Sequence, residues 1–256
     1  MMGKEDSPAE APKVTWGPIT AILVTIAIYL GAQILGLLLV LAFPLLKGWQ
    51  SSTITKWLDT SVNAQFSIIL LGQILTLVAV AWFLKWRHSS IKKLGLGVLR
   101  LKWLFYSLGG YFFYFVSLLF ILVVAQYFVP QMDLDQKQQL GFESASGTVQ
   151  LLMVFAGLVV MPAFVEEIMA RGFLYQGLKT RWPRWVAVII TSLLFGFAHL
   201  QFGLGAPLLW AAAIDTFVLS LILIWLLERT GSLWPAIGLH FIKNTLAFIF
   251  LFLVRT

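Results

Sequence analysis

Long apolar runs alternate with short polar connections along almost the whole chain. The runs at 18–46, 62–84, 103–129, 147–178, 185–200, 207–227 and 233–254 carry very few charges. Most reach the ~20 residues that a helix needs to cross a hydrocarbon core. Polar connections at 47–61, 85–102 and 130–146 separate the runs of the first half, whereas those near 181–184, 201–206 and 228–232 are short. Short links between long helices make them antiparallel neighbours. The pattern predicts an all-α polytopic integral membrane protein, a bundle of about seven transmembrane helices. It forms one domain over 17–256, behind a disordered cytoplasmic tail at 1–16. No internal repeat is visible, which argues against a transporter built from inverted halves.

The fourth run is too long for a plain crossing. As one helix from Gly147 to Lys179 it would measure about 48 Å at 1.5 Å per residue, against a core of ~30 Å. Pro162 lies inside it and has no backbone N–H to donate, so a kinked or broken segment is expected there. Glu166 and Glu167 follow immediately, where a bend would open room for water.

Composition sharpens this picture. Of 256 residues 60% are hydrophobic and 11% charged, with mean hydropathy +0.90. A water-soluble domain has about 25% charged residues, so a single solvated core is excluded. The net charge of +7 does not point to nucleic acid, because the basic residues gather in the connections, where they set topology and touch anionic lipid. With the N-terminus inside, twelve Lys and Arg fall on the inner side, against Lys47, Lys56, Lys137 and Arg255 outside. An odd number of spans then puts the C-terminus outside. Trp16, Trp82, Trp86, Trp103, Trp182, Trp185 and Trp234 fall near the expected inner boundaries, as an aromatic belt does. The first run is too long for a secretory signal and is expected to stay as an anchor. There is no cysteine, hence no disulfide, thiolate ligand or cysteine nucleophile.

Against this background the polar residues of the later runs stand out: Glu166-Glu167-x-x-x-Arg171, Phe195-x-x-x-His199 and His240-x-x-x-Asn244. An ionisable group at mid-bilayer costs at least a few kcal/mol. Carboxylates and imidazoles are also the side chains that activate water. Counted from the inner boundaries, Glu166, His199, Asn244 and His240 lie roughly 20, 21, 15 and 9 Å deep, so three helices can converge on one polar pocket. Glu167 and Arg171 are one helical turn apart and can pair, with Glu166 about 100° around the helix. His240 and Asn244 share the same spacing. Gly196 and Ala198 permit close helix approach. Taken singly, each motif also reads as a structural pair or as polar glue between helices, and Asp215 with Lys243 reads as a charge pair. Co-occurrence shifts the balance, because two of only three histidines lie in runs that neighbour the glutamates.

In this order on successive late helices, the three motifs resemble those of the CPBP (ABI) family, which includes the CAAX-processing prenyl protein endopeptidases. The resemblance covers residues 147–254, the motif-bearing catalytic core. It implies an intramembrane endopeptidase that hydrolyses peptide bonds of membrane-associated substrates, with prenylated CAAX-type proteins as one candidate class and other membrane-associated peptides or proteins as another, by a glutamate-activated water. Its catalytic residues would be Glu166 as general base, His199 holding the water, and His240 and Asn244 donating to the oxyanion. Glu167 and Arg171 would brace the site. The family is often labelled as metalloproteases, so the resemblance implies zinc or another divalent metal on Glu166, His199 and His240, although a metal-free mechanism has also been argued for it. No H-E-x-x-H helix and no G-x-S-x-G elbow is present to decide for zincin or serine chemistry. The implied partners are membrane lipid and a membrane-associated protein or peptide, and the implied location is a bacterial inner membrane. The competing reading is a non-catalytic scaffold or bacteriocin-immunity-type protein that retains the fold.

Overall fold

A computed structural model describes residues 14–134, 136, 140–200 and 208–254. Every secondary-structure element among them is helical. Six helices are long and apolar enough to cross a membrane: α1 (Pro18–Leu46), α3 (Val62–Trp86), α4 (Lys102–Phe128), α5 (Gly147–Leu178), α7 (Trp210–Thr230) and α8 (Trp234–Leu253). Among the described residues there are also two shorter α-helices, α2 (Ser51–Thr60) and α6 (Arg184–Phe197), and a 3-10 turn at Ile91–Leu94. The chain is an integral membrane protein with an all-α polytopic bundle.

The helix boundaries follow local chemistry. Pro18, at the first position of α1, has no N–H to leave unsatisfied. Ser61 accepts from the Ala64 amide and starts α3. Gly231, in the left-handed conformation at φ 64°, ends α7, and Pro235 opens α8 two residues after Leu233.

Helix α5 is the hub. It packs against α1, α3, α6, α7 and α8, while α1 pairs with α3 and α4 packs against α7 and α8. Close approach is built from small residues. A Cβ on Gly177 would come within 2.6 Å of the Ala21 side chain of α1 and of Trp16, and one on Gly36 would reach 3.0 Å from the Gly72 backbone. Long apolar side chains on α1 and α4, such as Leu30, Leu38, Phe112 and Phe120, are exposed and form the lipid-facing sides.

Three expectations take a different form in the structure. The long fourth run is neither broken nor unwound. It stays helical from Gly147 to Leu178, and the disturbance is absorbed by two π-helical stretches, Ala156–Val160 and Ile168–Tyr175. They flank the short α-helical piece Met161–Glu167 that holds Pro162 and both glutamates. The wider π turn shifts each bond by one residue, which accommodates a proline without ending the helix.

The run at 185–200 yields a helix of only 14 residues, about 21 Å long. It tightens at its end through bonds from the His199 amide to the Gly196 carbonyl and from the Leu200 amide to the Phe197 carbonyl. The odd number of spans on which the orientation argument rests therefore depends on α6.

Val14 and Trp16, placed in the tail and the aromatic belt by the sequence pattern, are buried. Trp16 stacks on Phe173 at 4.7 Å and donates from Nε1 to the Phe173 carbonyl at 3.1 Å. It is a core residue fastened to a π-helical stretch of α5. Trp82, Trp86 and Trp185 are exposed, as belt residues should be. The remainder of the tail (1–13), the connection at 201–206 and Lys137 lie outside the described residues.

Candidate functional site

The charged residues of α5 meet the histidine of α8 in the middle of the bundle. Glu167 Oε1 accepts from Arg171 Nη1 at 3.0 Å and from His240 Nδ1 at 2.9 Å. Glu167 and Arg171 are fully buried, and His240 nearly so. A carboxylate buried this deeply is tolerable only when charged or hydrogen-bonded partners surround it. The i,i+4 pair is therefore made as its spacing predicts. The bond to His240 comes from another helix, and no spacing within α5 could reveal it. Because Nδ1 is committed to Glu167, Nε2 is the polar ring atom left for other work.

Phe195 joins the three motifs. The Arg171 guanidinium lies over its ring at 4.2 Å, His199 packs against it at 4.9 Å, and His240 meets it edge-on at 6.3 Å. A cation over an aromatic face is favourable, and more so away from water. Phe195 received no role from the sequence, although it opens the second motif; an aromatic residue in an apolar helix gives no sign by itself. The backbone behind it is held close to α7, where a Cβ on Gly196 would come 2.8 Å from the Ala213 carbonyl oxygen. That is the close approach expected of Gly196.

His199 sits just past the end of α6, half-buried, and its Nδ1 donates to the Phe195 carbonyl at 2.8 Å. Its Nε2 is likewise the remaining ring nitrogen. Glu166 is half-buried, and its Oε2 is a buried atom with no hydrogen-bond partner among the described residues. Each glutamate keeps an unpartnered Oε2, but Glu167 is bonded from two sides through Oε1, whereas Glu166 accepts no hydrogen bond from the described residues.

Asn244 takes a position that the third motif did not suggest. Its Nδ2 donates at 3.0 Å to the carbonyl of Leu158, across on α5. Leu158 is four residues before Pro162, and its carbonyl would lose its α-helical donor to the proline. Asn244 thus satisfies a backbone group beside the π-helical stretch, with one amide hydrogen committed there and a second left over. Asn244→Ala should lower the thermal midpoint in detergent, because a backbone acceptor in an apolar setting loses a partner, a loss of about 1–3 kcal/mol. A midpoint equal to wild type would show that the π turn satisfies Leu158 without help.

Outside this cluster, Lys243 Nζ pairs with Asp215 Oδ2 at 2.8 Å, as their placement predicted, and Tyr114 of α4 donates to Asp215 Oδ1. This three-helix contact ties α4, α7 and α8 together.

Among the described residues no three His, Asp or Glu side chains group as metal ligands. The Nδ1 atoms of His199 and His240 are bonded to a carbonyl and a carboxylate, which leaves Nε2 as the remaining ring nitrogen of each.

Compared with known proteins, the chain matches no curated protein and no solved structure. A family model does match, over the stretch that carries all three motifs. Residues 148–246 match the model of the Rce1-like family, described as type II CAAX prenyl endopeptidase Rce1-like.

Proposed function

We propose that the protein is an intramembrane endopeptidase in which Glu166 activates the attacking water. The carrying observation is the contrast between the neighbouring glutamates inside the stretch that matches the Rce1-like family: Oε1 of Glu167 is taken by Arg171 and His240, whereas the half-buried Glu166 makes no hydrogen bond to the described residues. A carboxylate that keeps a free acceptor in an otherwise apolar helix is suited to take a proton from water.

In this reading the Glu166 carboxylate removes a proton as the water oxygen attacks the scissile carbonyl carbon. His199, with Nδ1 held by the Phe195 carbonyl, uses Nε2 to orient the water. His240, oriented by Glu167, donates from Nε2 in its protonated form to the oxyanion, and the second amide hydrogen of Asn244 adds to this. Collapse of the tetrahedral intermediate breaks the C–N bond. The proton taken by Glu166 passes to the leaving amine, giving a new carboxylate and a free amine. Arg171 bonds Glu167 and so helps to hold the carboxylate against the His240 ring.

The substrate proposed is a prenylated CAAX-type protein segment or another membrane-associated peptide. The inner-side excess of Lys and Arg supports an N-terminus in the cytoplasm, and a bacterial inner membrane as the location. The test is cleavage of a farnesylated CAAX reporter by the purified protein in lipid, with a reporter lacking the prenyl group alongside. Release of the last three residues from the farnesylated reporter alone is the expected result. Equal cleavage of both reporters would remove the prenyl requirement. No cleavage of either would support the non-catalytic scaffold reading.

A further inference from the structure

A cleft of about 500 Å³ lies between α6 and α7, at the ends marked by Arg184 and Arg229. Its mouth is formed by these two arginines and Glu228, and its wall by apolar residues including Val188, Leu221 and Trp225. None of its lining residues belongs to the cluster around Glu167. Trp225 is exposed, so the wall continues onto the lipid-facing surface.

The charges at the mouth do not cancel. Glu228 is bonded by Lys179 Nζ at 2.6 Å through Oε1 and by Arg184 Nε at 3.1 Å through Oε2. Three cations, Lys179, Arg184 and Arg229, therefore face one carboxylate. Arg229 has no ion-pair or hydrogen-bond partner among the described residues, and the Arg184 side chain is 74% exposed. Glu228 holds Lys179 and Arg184 in place but neutralises only one of them. A surplus of positive charge at the end of an apolar cleft matches a molecule with a negative head and an apolar body.

We propose that this cleft binds an anionic phospholipid of the bilayer. The phosphodiester lies against Arg229 and the free guanidinium nitrogens of Arg184, and an acyl chain runs along Val188, Leu221 and Trp225. Arginine forks suit phosphate oxygens, and basic pockets between transmembrane helices are established sites for acidic lipids. A soluble anion would use the charges but leave the apolar wall empty. A zwitterionic lipid would bring a cationic group towards the same surplus of positive charge. Because α6 and α7 also carry Phe195 and Ala213, the lipid would lie along the helix pair that positions His199.

The test uses the full chain purified in a neutral detergent, with lipid retention read by native mass spectrometry. Phosphatidylglycerol should be retained about tenfold over phosphatidylcholine of the same acyl chains. Arg229→Gln, which breaks no hydrogen bond or ion pair among the described residues, should reduce that preference, and the Arg184→Gln/Arg229→Gln protein should abolish it. Leu221→Asn should weaken phosphatidylglycerol retention with the charges intact. Lys102→Gln, at another basic position outside the cleft, should leave retention unchanged. The proposal fails if the double variant keeps the wild-type preference, or if Lys102→Gln lowers it equally. It also fails if inorganic phosphate displaces the lipid, which would mark a site for free anions. Thermal midpoints near wild type for Arg229→Gln separate these outcomes from loss of folding.

Discussion

Replacing Glu166 with glutamine is expected to slow peptide-bond cleavage by about a hundred- to ten-thousand-fold, the range that a general base contributes. Glutamine preserves the size of the side chain and its place on α5, and removes only the capacity to accept a proton. Folding should be unaffected, because Glu166 makes no hydrogen bond to the described residues that the change would break. The loss should fall on kcat with KM little altered, since the interaction removed is one made in the transition state. The measurement is steady-state cleavage of the farnesylated reporter, with the thermal midpoint recorded on the same preparation. Full activity in this variant would transfer the base to another group, and an equal loss of folding would remove the functional meaning of the result.

The extent to which the sequence announced this arrangement depends on the range of each interaction. Hydrophobic length is written directly in the chain, so α1, α3, α4, α5, α7 and α8 were legible to within a few residues. Helix α2 was not, because its ten residues are mostly Ser, Thr, Lys and Asp around Ile54, Trp57 and Leu58, and it is too short and polar to resemble a span. The Glu167–Arg171 pair was legible because helical spacing creates it. The Glu167–His240, Arg171–Phe195 and Asn244–Leu158 contacts each join two helices, so they depend on how the helices are rotated and stacked. That information lies in packing, which no local period contains. Asn244 is the instructive case. Pro162 announced a disturbed helix, and the repair comes from a side chain more than eighty residues further along.

The second large effect concerns stability, and it separates the two glutamates. Glu167→Ala should destabilise the protein by about 3–5 kcal/mol, the cost of removing one partner from a buried ion pair. Arg171 would remain fully buried with its charge uncompensated, and its Nε and Nη2 already lack partners among the described residues. His240 Nδ1 would lose its acceptor as well. Desolvation inside a bundle makes the stranded guanidinium expensive, whereas an apolar replacement of similar length avoids that cost. The double variant Glu167→Ala/Arg171→Met should therefore recover most of the lost stability, measured as the denaturation midpoint in detergent. Activity should not return with it, because the imidazole of His240 would still lack the carboxylate that sets its tautomer and orientation. If the double variant is as unstable as the single one, the buried charge is not the source of the cost and the loss arises from the cavity left by the side chain. If it regains both stability and cleavage, Glu167 serves only to neutralise Arg171, and His240 is held in place by its packing against Phe195.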